Sequence, residues 1–239
     1  MGSVIHLQAA DGTQVPAWLA QPQGDVRGAV VVAQEIFGVN SHIRHVTERF
    51  AARGFWALAP QLFARLRPDV ELGYDAQSMA TGKALKADAE ALPGEGVLQD
   101  IRAAAQWLQQ ESGQRVGMVG FCWGGLLTWR AAERVTELSA AVCYYGGGMT
   151  TALEAGRQPR CPVLAHFGRE DAWIPVPEVL AFSHTQPSVQ VHLYEADHGF
   201  NCDQRASYDQ ASAIQAKDRT LAFFDQHLQP ATGLLNLNK

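Results

Sequence analysis

The run Val116-Gly117-Met118-Val119-Gly120-Phe121-Cys122-Trp123-Gly124-Gly125 holds the pattern on which the architecture of this chain turns. Its first six residues are apolar or glycine with no polar alternation, which predicts a strand buried on both faces. The next four lead into a helix. Between them, Gly120-Phe121-Cys122-Trp123-Gly124 has the spacing of a sharp strand-to-helix turn that lifts one nucleophilic side chain above the sheet, here a cysteine. The glycines two before and two after have a steric reason, because the turn presses its own backbone against neighbouring chain and leaves no room for a Cβ. The helix that follows aims its first N–H groups at the nucleophile and favours negative charge there. A simple buried cysteine is the alternative, and it would need neither glycine.

Outward from this turn, strands and helices alternate. Val4 to Leu19, broken at Asp11-Gly12, reads as a hairpin. Ala29 to Ala33 is a second doubly buried strand, ending at Gln34-Glu35. Ser41 is positioned to cap a helix carrying Ile43, Val46 and Phe50, with Gly54 as a stop before a strand at Phe55 to Ala59. Val97, Leu98, Ile101, Ala105 and Leu108 mark the helix before the Val116 strand. Further strands are expected at Ala140 to Tyr144, Val163 to Phe167 and Val189 to Tyr194, and a closing helix carries Ile214, Leu221, Phe224 and Leu228. This order predicts an α/β fold, a mostly parallel central sheet with helices on both faces, in a single domain over residues 1–239. Residues 61–92 read as an irregular, lid-like segment, and 230–239 as a flexible tail.

The bulk composition narrows the partners. A net charge of −5 offers no basic footprint for nucleic acid. No segment approaches the roughly 20 apolar residues that span a bilayer, and no signal-like stretch opens the chain. Four scattered cysteines, Cys122, Cys143, Cys161 and Cys202, suit a reducing compartment, so a cytoplasmic protein is expected, with a monomer as the working assumption.

A nucleophile at such a turn needs an acid and then a histidine, each just past a later strand. Asp171 follows the Val163 strand, and His198 follows the Val189 strand. Glu170 and Asp197 are rival acids nearby. Of the other histidines, His6, His42, His45, His184 and His227 fall in helices or peripheral segments, while His166 and His192 lie inside strands, away from the carboxyl edge.

Five ordered elements then resemble the dienelactone hydrolase family, a branch of the α/β-hydrolase superfamily: Gln34-Glu35-Ile36-Phe37-Gly38, Gly120-Phe121-Cys122-Trp123-Gly124-Gly125, Tyr144-Tyr145-Gly146, Gly168-Arg169-Glu170-Asp171 and Asp197-His198-Gly199-Phe200. The resemblance covers most of the chain. It implies a carboxymethylenebutenolidase-like ester hydrolase that opens a small lactone or ester through an acyl-cysteine, with Cys122, Asp171 and His198 as triad and no metal or cofactor. It also implies that Glu35 receives the thiol proton and guards the resting sulfur. Backbone N–H groups of Ile36 and Trp123 are expected to form the oxyanion hole. Trp123, Tyr144, Tyr145, Trp173 and Phe200 are expected to line the pocket. The family holds a substrate carboxylate with arginines. Arg205 is the candidate for one of them at an altered spacing, and Arg65, Arg67, Lys83 and Lys86 are the only cations near the other position. The remaining alternatives are a catalytically weak ligand-binding or regulatory protein, and a thioesterase or peptidase using the same triad.

Overall fold

The computed structural model describes residues 2–229, so the expected tail at 230–239 lies outside the described residues. Strands β1 (Ser3–Gln8) and β2 (Gln14–Ala20) form the predicted hairpin, which joins β4 (Phe55–Pro60) antiparallel. The remaining strands, β3 (Gly28–Ala33), β5 (Val116–Phe121), β6 (Leu138–Tyr144), β7 (Val163–Gly168) and β8 (Gln190–Tyr194), run parallel to β4 in one eight-stranded sheet of order β1-β2-β4-β3-β5-β6-β7-β8.

Helices cover both faces because successive strand residues point opposite ways. In β4, Phe55 packs against Phe50 of α1 (Ser41–Ala51) and Phe224 of α7 (Gln210–Leu228), whereas Trp56 meets Trp107 of α3 (Leu98–Ser112) on the other face. Helix α4 (Trp123–Arg134) shares the α3 face, where Trp129 packs on Phe182 of α6 (Val176–Thr185). β3 and β5, the two runs that lack polar alternation, are buried at every residue. No helix among the described residues is long and apolar enough to cross a membrane.

The sheet order sets where a site can form. From β3 the chain first adds β4 on one side and later β5 on the other, so β3 and β5 are the strands at which the winding reverses. Connections leave their carboxyl ends in opposite directions and open a crevice there. Ala33 is paired with Gly120, which places Glu35 and Cys122 side by side just beyond the two strand ends.

Two local expectations are corrected. Asn40, not Ser41, caps α1: its Oδ1 accepts from Ile43 N at 3.3 Å, while Ser41 Oγ bonds Gln204. The segment 61–92 is not irregular throughout, since Ala76–Glu90 form helix α2, capped by Asp75 through Ser78 N. Alanine, lysine and other good helix formers hold α2, but only Gly82, Leu85 and Ala89 are buried, too few for a strong amphipathic signal. A short helix, α5 (Ala152–Ala155), completes the elements.

Candidate active site

Cys122 occupies the turn between β5 and α4 at φ 54° and ψ −115°, a region that a side-chain-bearing residue enters only under strain. Its backbone is pinned: Cys122 N donates to Tyr144 O at 3.0 Å, and its carbonyl accepts from Gly125 N at 3.0 Å. A Cβ on Gly120 would sit 2.0 Å from Gly124 O, and one on Gly124 would sit 2.5 Å from both Ala33 O and Gln34 O. The two glycines are therefore required by contact between backbones.

His198 and Asp171 approach from the ends of β8 and β7. His198 Nδ1 lies 2.7 Å from Asp171 Oδ2, and Asp171 Oδ1 accepts from Trp173 N at 2.9 Å, so both oxygens of this buried carboxylate are committed. The carboxylate makes Nδ1 the donor. Nε2 is enclosed without a hydrogen-bond partner among the described residues. Burial alone drives the ring toward neutrality, but the charge of the adjacent Cys122 sulfur and the Asp171 bond outweigh it and push His198 up to about 10. Glu170 and Asp197 are exposed; Asp197 accepts from the His198 backbone N, and neither acid bonds the ring. His166 is buried in the sheet between Tyr194 and Thr220.

Glu35 is almost fully buried, with Oε1 accepting from Arg205 Nη1 at 3.1 Å and Oε2 unpartnered among the described residues. The Arg205 guanidinium also lies 5.9 Å from the Phe37 and Tyr74 ring centres. Burial would lower its proton affinity, but the Glu35 charge raises it. The backbone N–H groups of Ile36 and Trp123 have no acceptor among the described residues. Both donors are free at the crevice.

The aromatic candidates divide. Tyr145, held at φ 37°, has its ring centre 5.1 Å from His198, and Trp173 lies 4.8 Å from the same ring at the surface. Phe200 is buried against Tyr145 at 5.3 Å. Tyr144 is brought elsewhere: its hydroxyl meets Thr220 of α7 at 2.7 Å, and it lines a separate apolar pocket of about 290 Å³ with Phe50, Phe121 and Leu221. The Trp123 side chain also turns from the crevice, stacking on Phe63 at 5.0 Å and donating to Glu90 of α2 at 2.7 Å. Arg65 is committed to Asp100 and Asp11. Lys83 of α2 stands 5.6 Å over the Trp173 ring, which itself packs against His198. Sequence reading missed how α2 docks: Gly82 packs so closely on Ile36 that a Cβ would be 2.4 Å from its carbonyl oxygen.

The chain is similar to known proteins over most of its length. The model of the dienelactone hydrolase family matches residues 15–228. A Pseudomonas putida protein named carboxymethylenebutenolidase is 31% identical over 225 residues, covering 92% of this chain and 94% of its own. A Synechocystis protein provisionally given the same name is 34% identical over 233 residues, covering 90% of this chain and 93% of its own. Among solved structures, a provisionally named dienelactone hydrolase from Klebsiella pneumoniae superposes with a TM-score of 0.82 at 31% identity, covering 95% of this chain and 99% of that one.

Proposed function

Because this chain belongs to the dienelactone hydrolase family and is a carboxylic ester hydrolase, we propose that it opens a small lactone or ester through a covalent acyl-Cys122 intermediate. The observation that carries this reading is the Asp171–His198 pair, whose ring keeps Nε2 without a hydrogen-bond partner among the described residues and is raised by the charge of the Cys122 sulfur held at the strained turn.

The Cys122 thiolate attacks the substrate carbonyl carbon, and the electron pair of the C=O bond moves onto oxygen. The resulting oxyanion is met by the free N–H groups of Ile36 and Trp123, which cost no reorganisation as charge develops. Collapse restores the C=O bond and breaks the bond to the leaving oxygen, which takes its proton from His198 Nε2. Asp171 stabilises the imidazolium beforehand and keeps Nδ1 as the donor. Water then gives a proton to His198 and attacks the thioester, and departure of the sulfur completes hydrolysis. Glu35 is the second proton acceptor beside Cys122, and its Arg205 partner sets when it is free to act.

Tyr145 and Trp173 flank the acyl group, with Phe200 behind Tyr145. Tyr144 and the Trp123 side chain support the turn rather than the substrate. Arg205 and Lys83 are the cations for a substrate carboxylate. The protein works as a monomer in the cytoplasm, where its four free cysteines stay reduced. Hydrolysis of p-nitrophenyl acetate, with mass spectrometry of the quenched protein, tests the reading: wild type should gain one acetyl group on Cys122, and Cys122→Ala should lose turnover. Turnover in Cys122→Ala near the wild-type rate sinks the mechanism.

A further inference from the structure

Next to the crevice, three side chains that the hydrolysis does not use as a set face one another. Glu35 after β3, His42 in the first turn of α1 and Cys202 in the loop after β8 bring a carboxylate oxygen, an imidazole nitrogen and a thiol sulfur within 4.8 Å of one another, all in buried residues. Glu35 Oε1 is engaged by Arg205 at 3.1 Å, and His42 Nδ1 lies 3.2 Å from Asp203 Oδ1. The atoms left over are Glu35 Oε2 and His42 Nε2, and both are enclosed without a hydrogen-bond partner among the described residues. Two orphaned buried polar atoms beside one thiol call for a shared partner, since burying each alone is unfavourable.

The outer contacts give that partner its character. Asp203 makes Nδ1 of His42 the donor, so the Nε2 lone pair is the one free to bind, and the second oxygen of Glu35 is fixed by a guanidinium. Metal-ligating histidines are oriented by just such a carboxylate, and ligating carboxylates are hydrogen-bonded in turn. We propose that Glu35, His42 and Cys202 form a binding site for a divalent cation of the zinc or cobalt type, through Oε2, Nε2 and the thiolate sulfur.

One oxygen, one imidazole nitrogen and one sulfur suit these borderline cations, whereas magnesium and calcium take oxygen ligands. Bonds of about 2.0–2.3 Å would draw the three ligands closer together, which side-chain rotation supplies. As the metal–sulfur bond forms, the Cys202 thiol proton leaves to solvent. Three protein ligands leave a fourth position for water. The site lies one side chain below the surface, since Asp203, which holds His42, is 42% exposed at its own side chain. The site itself is independent of the hydrolytic reading; a consequence that rests on that reading is that the cation withholds Glu35 from Cys122 and inhibits the enzyme.

The test is a Co²⁺ titration of the full, reduced chain in chelator-treated buffer, read by sulfur-to-cobalt absorption in the near ultraviolet. Equimolar binding with that absorption is expected in wild type and in Cys122→Ala. In Cys202→Ala the absorption should vanish and affinity should fall at least about tenfold, while p-nitrophenyl acetate hydrolysis, which needs no Cys202, reports that the variant is folded; Cys202→Ser is the second variant. Any other pattern overturns the proposal, whether no absorption in wild type or absorption that follows Cys122. Zn²⁺ should then inhibit wild-type hydrolysis at concentrations at least about tenfold below those needed for Cys202→Ala. If cobalt binds as expected and Zn²⁺ leaves hydrolysis unchanged, the site stands and the role given to Glu35 falls.

Discussion

Arg205 Nη1 donates to Glu35 Oε1 across 3.1 Å, tying the loop after β8 to the end of β3 beside the Cys122 turn. Glu35 is 1% exposed, so this guanidinium is what keeps its charge tolerable in the crevice. The same guanidinium faces the site, and a carboxylate on the substrate would compete with Glu35 for it.

Arg205→Ala should lower kcat/KM on an anionic lactone about ten- to a hundred-fold, the worth of a charge-assisted hydrogen bond of about 1.5–3 kcal/mol. A neutral analogue should be hydrolysed nearly as well as by wild type. Denaturant unfolding should show a loss of roughly 3 kcal/mol or more, because Glu35 is left buried and uncompensated. Equal losses on both substrates would make Arg205 scaffold and turn attention to Lys83.

Asp171→Asn should reduce kcat by several orders of magnitude, and His198→Ala by at least as much, because an amide in place of the carboxylate no longer enforces Nδ1 as donor or stabilises the cation. Steady-state hydrolysis of p-nitrophenyl acetate measures both. Near wild-type turnover in Asp171→Asn would remove it from the triad.

The family resemblance implies a resting thiol guarded by Glu35, which would react slowly with iodoacetamide. With Asp171 bonded to His198 Nδ1, and Cys122 and Asp171 pushing His198 up against the pull of burial, labelling should be fast. Mass spectrometry should show rapid alkylation of Cys122 in wild type and collapse of the rate in His198→Ala. Slow labelling of wild type would restore the guarded thiol.

Gly82→Ala places a methyl 2.4 Å from Ile36 O, so α2 or the Ile36 peptide must shift. Ile36 is a proposed oxyanion donor, and misplacing such a group costs up to about a hundred-fold. Expected are a kcat at least about tenfold lower with KM little changed, and a stability loss of about 1–3 kcal/mol. A raised KM at unchanged kcat would instead assign α2 to substrate binding.

Acid should weaken the fold through His166. Burial lowers its pKa well below the ordinary 6.5, and nearby His192 and Arg219 lower it further, so the folded protein keeps the ring neutral where the unfolded chain binds a proton. Its contribution is complete above about pH 7.5 and is lost as pH falls, by about 1.4 kcal/mol per pH unit once the unfolded histidine is protonated. His42, lowered by burial, adds in the same direction. Urea unfolding between pH 7.5 and 5.5 should show this slope reduced by about one proton in His166→Gln; an unchanged slope would place the loss elsewhere.

What could be read in the chain and what could not follow from the range of the forces involved. Short-range constraints are written locally. Six residues without polar alternation make Val116–Phe121 a doubly buried strand, and the overlaps at Gly120 and Gly124 force the turn that strains Cys122. The order Cys122, Asp171, His198 is likewise legible, because each follows a recognisable strand.

Long-range packing is not written that way. Tyr144 and Tyr145 are neighbours of like chemistry, yet one bonds Thr220 on α7 and the other stands over His198, because a strand end turns consecutive side chains to opposite sides. Helix α2 has too few buried residues to announce itself and is held by contacts far off in sequence, Gly82 on Ile36 and Glu90 on Trp123. Glu35, His42 and Cys202 lie in three separate segments and meet only because the chain reverses its winding at β3 and β5. The sequence by itself determined the strand that presents the proposed nucleophile and the order of its proposed partners. Which side chains surround that nucleophile was decided by the tertiary structure, because burial rewards total apolar area without regard to sequence separation, and strand order and side-chain direction emerge only when the whole sheet packs.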